Sequence, residues 1–515
     1  MKNKTKHHLT GIIAVITITT MTLFGYNIIK EENKIKANPL IPKAKWDKKI
    51  GGNYQDELNK TITLTDGSLL SIGNTTNKVP NGTLTNTGKG EKDALIVKYD
   101  ANGNKLWDKI FGGTKQEEYK DIITTNDGGF ITIGYTASPT GGDITDTNKG
   151  GELDALVVKY DASGNKVWDK LIGGNGTDKF ESIIKTGSGA EEKYIIAGSS
   201  TTSNNGNITD TSNGGTEGLI IKIDGSGNVL WNYLFGGSGE EELAKILKIS
   251  DTEYLVGGYT TSSGSGDVSD TGKGLTDGLV AKITDSSGAI TVNWNKIYGG
   301  TGKDGIRDLV VGGDGSIIAI GKTTSPVSGN LSQGTAGFSD GLLLKLYGSG
   351  NKTADKVYGG LGTDSFNSLM LETDGGVLVA GTTDKGENTG TGIEIGPKGI
   401  GGNDILLVKF DSSLNTAYEV VTGGKGEDNV DSILTVSNGD HLLTGNTTSG
   451  ASGDFLEANK GGIDGLFYMM TKSEVVVSFE ENGGNEVGNI VMAPGKVPVK
   501  SKDPIKLQWM FKGWY

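Results

Sequence analysis

One pattern recurs seven times between residues 45 and 472. Each copy contains a glycine pair that follows an aromatic or apolar residue, and successive pairs lie 60 to 64 residues apart. A self-similar period of this kind is typical of solenoids, propellers and repeat arrays. The pairs begin at Gly51, Gly112, Gly173, Gly236, Gly299, Gly359 and Gly423. The slot five positions before each pair holds Trp46, Trp107, Trp168, Trp231, Trp294, Ala354 and Tyr418.

Each copy contains four short strand-like segments and no helical pattern of useful length. In the second copy these segments span 105–111, 119–125, 130–135 and 155–160, with tight turns at 126–129 and 161–165. Four short strands in each of seven units predict an all-β fold, a seven-bladed β-propeller over residues 45–472. The chain enters the first unit at its first strand and leaves the seventh at its fourth. We therefore expect contacts between the first and last blades to close the ring.

The repeat resembles known propeller families. The stretch Asp100-x-x-Gly103-Asn104-x-x-Trp107, seen again at 161–168 and 224–231, is similar to the tryptophan-docking motif of quinoprotein-like propellers. The whole unit also resembles the propeller repeats, about sixty residues long, of secreted and surface proteins of bacteria. This resemblance implies the fold, but it says little about function because propellers host many chemistries.

Composition excludes several classes of function. The chain has no cysteine, a formal net charge of −13 and 85 glycines in 515 residues. It therefore has no thiol that could ligate a metal or act as a nucleophile, and its negative charge opposes binding to nucleic acid. Arg307 is the only arginine, which excludes the arginine cluster of a sialidase, and His441 is the only histidine beyond the first thirty residues. We predict that the protein is not an enzyme.

The first thirty residues have the pattern of an export segment. Lys2, Lys4 and Lys6 precede an uncharged run over 11–29, as in a signal peptide or an N-terminal membrane anchor. Both alternatives place the rest of the chain in the cell envelope or outside the cell, with membrane contact only through this segment. Residues 31–44 read as a linker.

The long loops hold a recurring acid pattern. Carboxylates close in sequence predict calcium ligands, because calcium takes six to eight oxygens. The alternative is that these acids form side-chain-capped turns. The candidate ligands are Asp143, Asp146, Asp154, Asp267, Asp270 and Asp277. No other cofactor is indicated. The hydroxyl ring at Thr75, Thr136, Ser200, Thr260, Thr323, Thr383 and Thr447 has two interpretations, glycan contact or turn bonding.

The tail from residue 473 changes register. Its Val475-x-Val477-x-Phe479 start, Asn482-Gly483-Gly484 and Phe511-x-Gly513-Trp514-Tyr515 ending resemble the Listeria-Bacteroides, or internalin B-type, repeat of bacterial envelope proteins. The resemblance implies a small β-grasp-like module over 473–515, which is incomplete because the further strand residues of such repeats are absent.

The function predicted from these features is binding. A rigid ring that carries long loops on one face favours adhesion to, or recognition of, an extracellular glycan or protein. The alternative is a structural spacer of the cell envelope, and an extracellular hydrolase comes third.

Overall fold

The residues that the computed structural model describes form 31 β-strands. These residues are 36–187, 192–384, 400–472, 474–478 and 490–492. Within these ranges no helix is long and apolar enough to cross a membrane. The predicted export segment, 1–30, lies outside the described residues, as does most of the predicted C-terminal module.

Seven four-stranded antiparallel sheets form the blades of the ring. Blade 1 consists of β3 (Asp56–Thr63), β4 (Leu69–Thr75), β5 (Asp93–Tyr99) and β6 (Lys105–Phe111). Blade 2 consists of β7 (Glu117–Thr124), β8 (Phe130–Thr136), β9 (Asp154–Tyr160) and β10 (Lys166–Ile172). Blade 3 consists of β11 (Asp178–Thr186), β12 (Lys193–Ser200), β13 (Glu217–Asp224) and β14 (Val229–Phe235). Blade 4 consists of β15 (Glu241–Lys248), β16 (Glu253–Thr260), β17 (Asp277–Ser286) and β18 (Ala289–Tyr298). Blade 5 consists of β19 (Asp304–Val311), β20 (Ile317–Thr323), β21 (Asp340–Leu346) and β22 (Lys352–Tyr358). Blade 6 has β23 (Asp364–Leu371), β24 (Val377–Thr383), β25 (Asp404–Phe410) and β26 (Thr416–Thr422), and blade 7 has β27 (Asp428–Thr435), β28 (His441–Thr447), β29 (Asp464–Met470) and β2 (Ala44–Ile50).

The blade is offset by one strand from the repeat seen in the sequence. The tryptophan strand, first in each sequence unit, is the outermost strand of the preceding blade. The reason lies in the connections. The turn at 161–165 is a tight hairpin that keeps β9 and β10 in one sheet, whereas the segment after each glycine pair crosses to the next blade. The first strands of neighbouring blades contact one another around the centre of the ring.

The offset changes how the ring closes. We expected contacts between the first and last blades, but closure comes from strand pairing. Strand β2, from the start of the chain, completes blade 7 by pairing with β29, with Trp46 opposite Met469 and Ile50 opposite Gly465. Backbone hydrogen bonds therefore join the two ends of the ring.

The core lies between blades. Seven apolar clusters, each shared by two neighbouring blades, fill the seven junctions. The tryptophans extend these junctions outwards. A methyl group on Gly103 of blade 1 would lie only 2.8 Å from the ring of Trp46 in blade 7, and Gly164 stands in the same relation to Trp107. The glycine therefore lets the tryptophan of one blade dock on the hairpin of the next.

A separate three-stranded sheet lies outside the ring. Strand β1 (Lys36–Leu40) pairs with β30 (Glu474–Ser478), which pairs with β31 (Ile490–Met492). Residues 36–40, predicted as part of a linker, are therefore a strand. The valine-rich start of the C-terminal module has an edge that needs a partner, and the segment before the ring supplies it.

Candidate functional site

One face of the ring carries all the long connections, and we call it the loop face. It consists of the turns after the glycine pairs together with the long loops between the second and third strands of each blade. The described long loops span 76–92, 137–153, 201–216, 261–276, 324–339 and 448–463, and part of the sixth-blade loop is described at 400–403. The opposite face, the hairpin face, carries only tight turns. This division agrees with the sequence prediction that one face is bulky.

Each of the six fully described long loops is bound to the outer strand of its own blade. In blade 2, the carboxylate of Asp169 on β10 accepts the backbone N–H groups of Thr145 and Asp146, at 2.8 and 3.0 Å. In return, the Asp146 carboxylate accepts the N–H of Leu171 at 2.8 Å. Reciprocal bonds of this kind hold the loop in one conformation, so the loop face is rigid.

The six predicted calcium ligands cap turns. Asp143 and Asp267 accept the N–H groups of Gly112 and Gly236, the first glycines of their pairs. The remaining four follow the same pattern at two other places. Asp146 and Asp270 accept from Leu171 and Ile297 on outer strands, and Asp154 and Asp277 accept from Lys149 and Lys273 within the loops.

Calcium takes six to eight oxygens around one point. The three acids of a loop serve three different stretches of backbone. Among the described residues, no group of three or more histidine, aspartate or glutamate side chains could hold a metal ion. The contacts match the capped-turn alternative, and calcium binding stays a prediction for the chelator experiment below.

The predicted hydroxyl ring is buried. Thr75 donates to Asp56 at 2.5 Å, Thr260 donates to Glu241 in the same way, and both threonines are fully buried. These hydroxyls therefore serve strand-end bonding and are closed to a glycan.

Sequence reasoning missed an acid at the start of every innermost strand, five residues after the first glycine of each pair. It faces the acid at the start of the third strand of the preceding blade. At the junction of blades 2 and 3, Asp178 and Asp154 both converge on Gly173, where a methyl group would lie 2.7 Å from Asp154 Oδ1. The seven pairs are Asp464 and Asp56, Asp93 and Glu117, Asp154 and Asp178, Glu217 and Glu241, Asp277 and Asp304, Asp340 and Asp364, and Asp404 and Asp428. The sequence signal that could have revealed these acids is their constant position, five residues after the first glycine of each pair.

Several of these buried carboxylate oxygens have no hydrogen-bond partner within the described residues, among them Oδ1 of Asp154, Asp340 and Asp464. Burial, reinforced by Asp178, raises the pKa of Asp154 to about 6. Burial also raises the pKa values of Asp364 and Asp464 to about 6, again with an acidic neighbour adding to the effect. Uptake of a proton by Asp154, Asp364 or Asp464, at a higher pH than for an ordinary aspartate, relieves the repulsion between the two acids of its pair.

The raised pKa values predict that these junctions are weaker at neutral pH than at acidic pH. A folded-state pKa above the ordinary value means that the stabilisation is complete below about 3.8 and is lost as the pH rises through 6. The variant Asp154→Asn imitates the protonated acid. We expect it to be more stable than the parent by about 1 kcal/mol at pH 7.5, and we expect this difference to shrink as the pH falls from 6 towards 3.8, as measured by urea unfolding.

One further group titrates in the opposite direction, and one variant serves as the control for this comparison. Burial lowers the pKa of His441 to about 4, so its contribution is lost as the pH falls from 6.5, opposite to that of the acids. The raw pH profile therefore mixes two effects, and the difference between variant and parent isolates one. Asp161→Asn alters an exposed turn acid and should give no gain at pH 7.5. Destabilisation by Asp154→Asn at pH 7.5 would show that Asp154 is needed as a carboxylate.

The centre of the ring is a second place where side chains gather. Each innermost strand has a β-bulge, eight residues after the first glycine of the pair, and the bulged residue has no cross-strand partner. Bulges re-aim side chains, and these seven residues line a channel. They are Asn59, Lys120, Glu181, Ala244, Arg307, Asn367 and Asp431. The sequence signal was a repeat position that changes chemistry from blade to blade.

The loop face also exposes apolar side chains. Among the described residues, the four most exposed large apolar side chains are Phe338 (80%), Leu456 (78%), Leu275 (66%) and Val327 (66%), and all four lie on long loops. The N–H of Phe338 donates to the carbonyl of Gly362, which places it beside the exposed Leu361 of the next turn. The loop face therefore combines a rigid frame with apolar side chains in solvent.

Known proteins that are similar to this chain include two curated proteins and a number of solved structures. No protein-family model matches the chain. The regulatory protein FlaEY of Caulobacter vibrioides is 22% identical over 440 residues, which cover 78% of this chain and 44% of that protein. A WD repeat-containing protein of Acanthamoeba polyphaga mimivirus is 27% identical over 134 residues, 25% of this chain and 9% of that protein. The chain thus spans less than half the length of these curated relatives.

Among solved structures, the Pan2 WD40 domain of Neurospora crassa aligns over 82% of this chain and 89% of its own, with a TM-score of 0.43 and 10% identity. The seven sheets, their central channel and the closing strand define this protein as a seven-bladed β-propeller.

Proposed function

We propose that this protein is an exported binding protein of the cell envelope that recognises an extracellular protein through the loop face. The observation that carries the proposal is the position of Phe338, Leu456, Leu275 and Val327. Large apolar side chains held in solvent mark interaction sites when they cluster on one surface. The predicted export segment at 1–30 supports the location outside the cytoplasm.

The loop face suits a protein ligand better than a glycan. The hydroxyls that could have met a sugar, such as Thr75 and Thr260, are buried and bonded to acids. Apolar anchors surrounded by polar loops are instead the usual composition of a protein interface. Contacts from several rigid loops would act together, so little conformational entropy is lost on binding.

The arrangement of the chain ends speaks against the spacer alternative. Strand β1 pairs with β30, and the N–H of Thr471 donates to the carbonyl of Lys43. The chain therefore enters and leaves the ring at one place. A ring whose two ends meet adds little distance between the modules that precede and follow it. The hydrolase alternative has no support from a particular group of side chains.

A binding panel tests the proposal. Residues 31–515 would be measured by surface plasmon resonance against immobilised extracellular-matrix proteins, cell-surface proteins and glycans, first with calcium and then with chelator. We expect binding to a protein ligand. The double variant Phe338→Ser with Leu361→Ser should weaken it at least about tenfold.

The matched control alters exposed apolar residues on the other face. Tyr347 and Ile249 lie on hairpin turns and are 63% and 40% exposed. Tyr347→Ser with Ile249→Ser should leave the affinity unchanged. Equal losses from both double variants, or binding to glycans alone, would overturn the proposal. Loss of protein binding in the presence of chelator would support the predicted calcium binding.

A further inference from the structure

The bulge position is one of two neighbouring repeat positions on the channel whose charge changes from blade to blade. Most inward-facing positions of the repeat hold the same residue type in every blade, because they pack the same junction. The bulge position instead holds two cations, two anions, two amides and one alanine. A residue type that serves only packing has no reason to change at each step around a ring.

Several channel side chains have structural partners. Lys120 pairs with Glu118, and Lys245 pairs with Asp308 at 2.9 Å. The two amides bind the backbone of the next blade. Asn59 Nδ2 donates to the carbonyl of Tyr119 at 2.6 Å, and Asn367 Nδ2 donates to that of Val430 at 2.7 Å.

Three charged side chains remain without such a partner. Within the described parts of the chain, Arg307, Glu181 and Asp431 form no hydrogen bond and no ion pair within 4.0 Å. Arg307 is the only arginine of the protein, and its side chain is exposed to the channel. Arg307 attracts Asp431 more strongly than Lys120 does, whereas Glu181 is attracted first by Lys120 and then by Arg307. Both acids lie two blades away from Arg307, one on either side. Burial raises the pKa of Asp431 to about 6.

The channel also has space at this level. The ring encloses a cavity of about 90 Å³. Ala244 of blade 4 stands between Glu181 and Arg307 in the order of the blades, and it is the only small side chain among the seven at this level. A water molecule needs about 10–15 Å³ of space of this kind, so the cavity holds several water molecules and has room for one of the smallest α-amino acids.

We propose that the central channel binds a small zwitterion, an α-amino acid of about the size of glycine or alanine. Its carboxylate would lie on the guanidinium of Arg307, whose planar fork matches a carboxylate. Its ammonium would lie on Glu181 or Asp431, and its side chain against Ala244. A ring with two cations and two anions favours a ligand that carries both charges over a simple ion.

Isothermal titration calorimetry of residues 31–515 at pH 8 tests this proposal with named probes. We expect glycine and alanine to bind, and acetate or methylammonium, each of which carries one half of the zwitterion, to bind at least about tenfold more weakly. Tryptophan, which exceeds the cavity, should give no heat at this site. Equal binding of acetate and glycine would mean a plain anion site, and it would overturn the zwitterion assignment.

Three variants and one control separate the ligand site from the fold. Ala244→Leu fills the space without altering charge and should abolish binding. Arg307→Gln removes the guanidinium and should weaken binding at least tenfold, and Arg307→Lys should recover part of it. Lys303→Ala, on an exposed turn, is the control and should change nothing.

The result that overturns the proposal is a set of correctly folded proteins that do not bind amino acids, or that bind them equally with and without Ala244→Leu. Unfolding temperatures of all variants establish the fold. This proposal stands apart from protein recognition on the loop face. The Phe338 and Leu361 double variant should still bind glycine, so failure of one proposal leaves the other intact.

Discussion

Removal of the closing strand β2 is expected to cost the ring most of its stability. A chain that starts at residue 51 lacks the outer strand of blade 7 and leaves the edge of β29 open. The strand supplies a ladder of six residue pairs and buries Ile50 and most of Lys49. At about 1 kcal/mol for each ladder bond and about 2 kcal/mol for the isoleucine, the loss is on the order of 5 kcal/mol or more.

Lys49 makes this strand specific for blade 7. Its ammonium is buried and donates to the carbonyls of Ser449, Gly450 and Glu457, at 2.6, 3.1 and 2.7 Å. The other six blades have an apolar residue in the same slot, such as Ile110. The closing strand therefore carries a polar anchor that the other outer strands do not need.

Calorimetry of chains that start at residue 31 and at residue 51 measures the effect. We expect the shorter chain to lose its cooperative transition or to melt more than 10 °C lower. A synthetic peptide of residues 41–50 should restore the transition by pairing with β29. The same peptide with Lys49→Glu should not, because a carboxylate would face three carbonyl oxygens. A shorter chain that melts like the longer one would contradict closure by strand pairing.

Gly134→Ala is expected to be among the most damaging single methyl additions to a strand of blade 2. The added carbon would overlap the carbonyl oxygen of Glu118 and lie 2.9 Å from its carbonyl carbon. Both atoms belong to the paired strand β7, which cannot retreat without breaking its ladder with β8. The same close approach recurs at the equivalent glycine of every blade, beside the bulge.

Overpacking against backbone predicts a loss of about 3 kcal/mol or more in urea unfolding. Gly313→Ala is the matched control, because a methyl group there meets nothing within 4 Å and the backbone has no positive φ. We expect the control to remain within about 0.5 kcal/mol of the parent. If Gly134→Ala behaved like Gly313→Ala, the strand spacing at the bulge would be looser than described.

The fold could be predicted because the same sequence pattern is repeated in every blade. Seven copies of a glycine pair, a tryptophan slot and two hairpin turns leave few alternatives to a seven-bladed ring. The sequence does not show which strand begins a blade, because a periodic pattern is the same whichever strand is taken as its start. Only hydrogen-bond pairing shows that Trp46 belongs to blade 7, and that residues 36–40 pair with 474–478.

The site was harder to predict, because spacing does not show which way a side chain points. Asp143, Asp146 and Asp154 are close in sequence, yet each caps a different stretch of backbone. The channel residues were missed for the opposite reason. A position that changes from Lys120 to Ala244 to Asp431 looks like noise in a repeat until the bulge places it on the channel.

Hydrogen–deuterium exchange of the ring with its bound protein ligand tests the central claim most directly. With the ligand identified from the binding panel, we expect added protection at 324–339 and 359–363 on the loop face. The turns at 64–68 and 347–351 on the hairpin face should exchange as in the free ring. Protection confined to the hairpin face, or an absence of any protein ligand for a well-folded ring, would contradict recognition through the loop face.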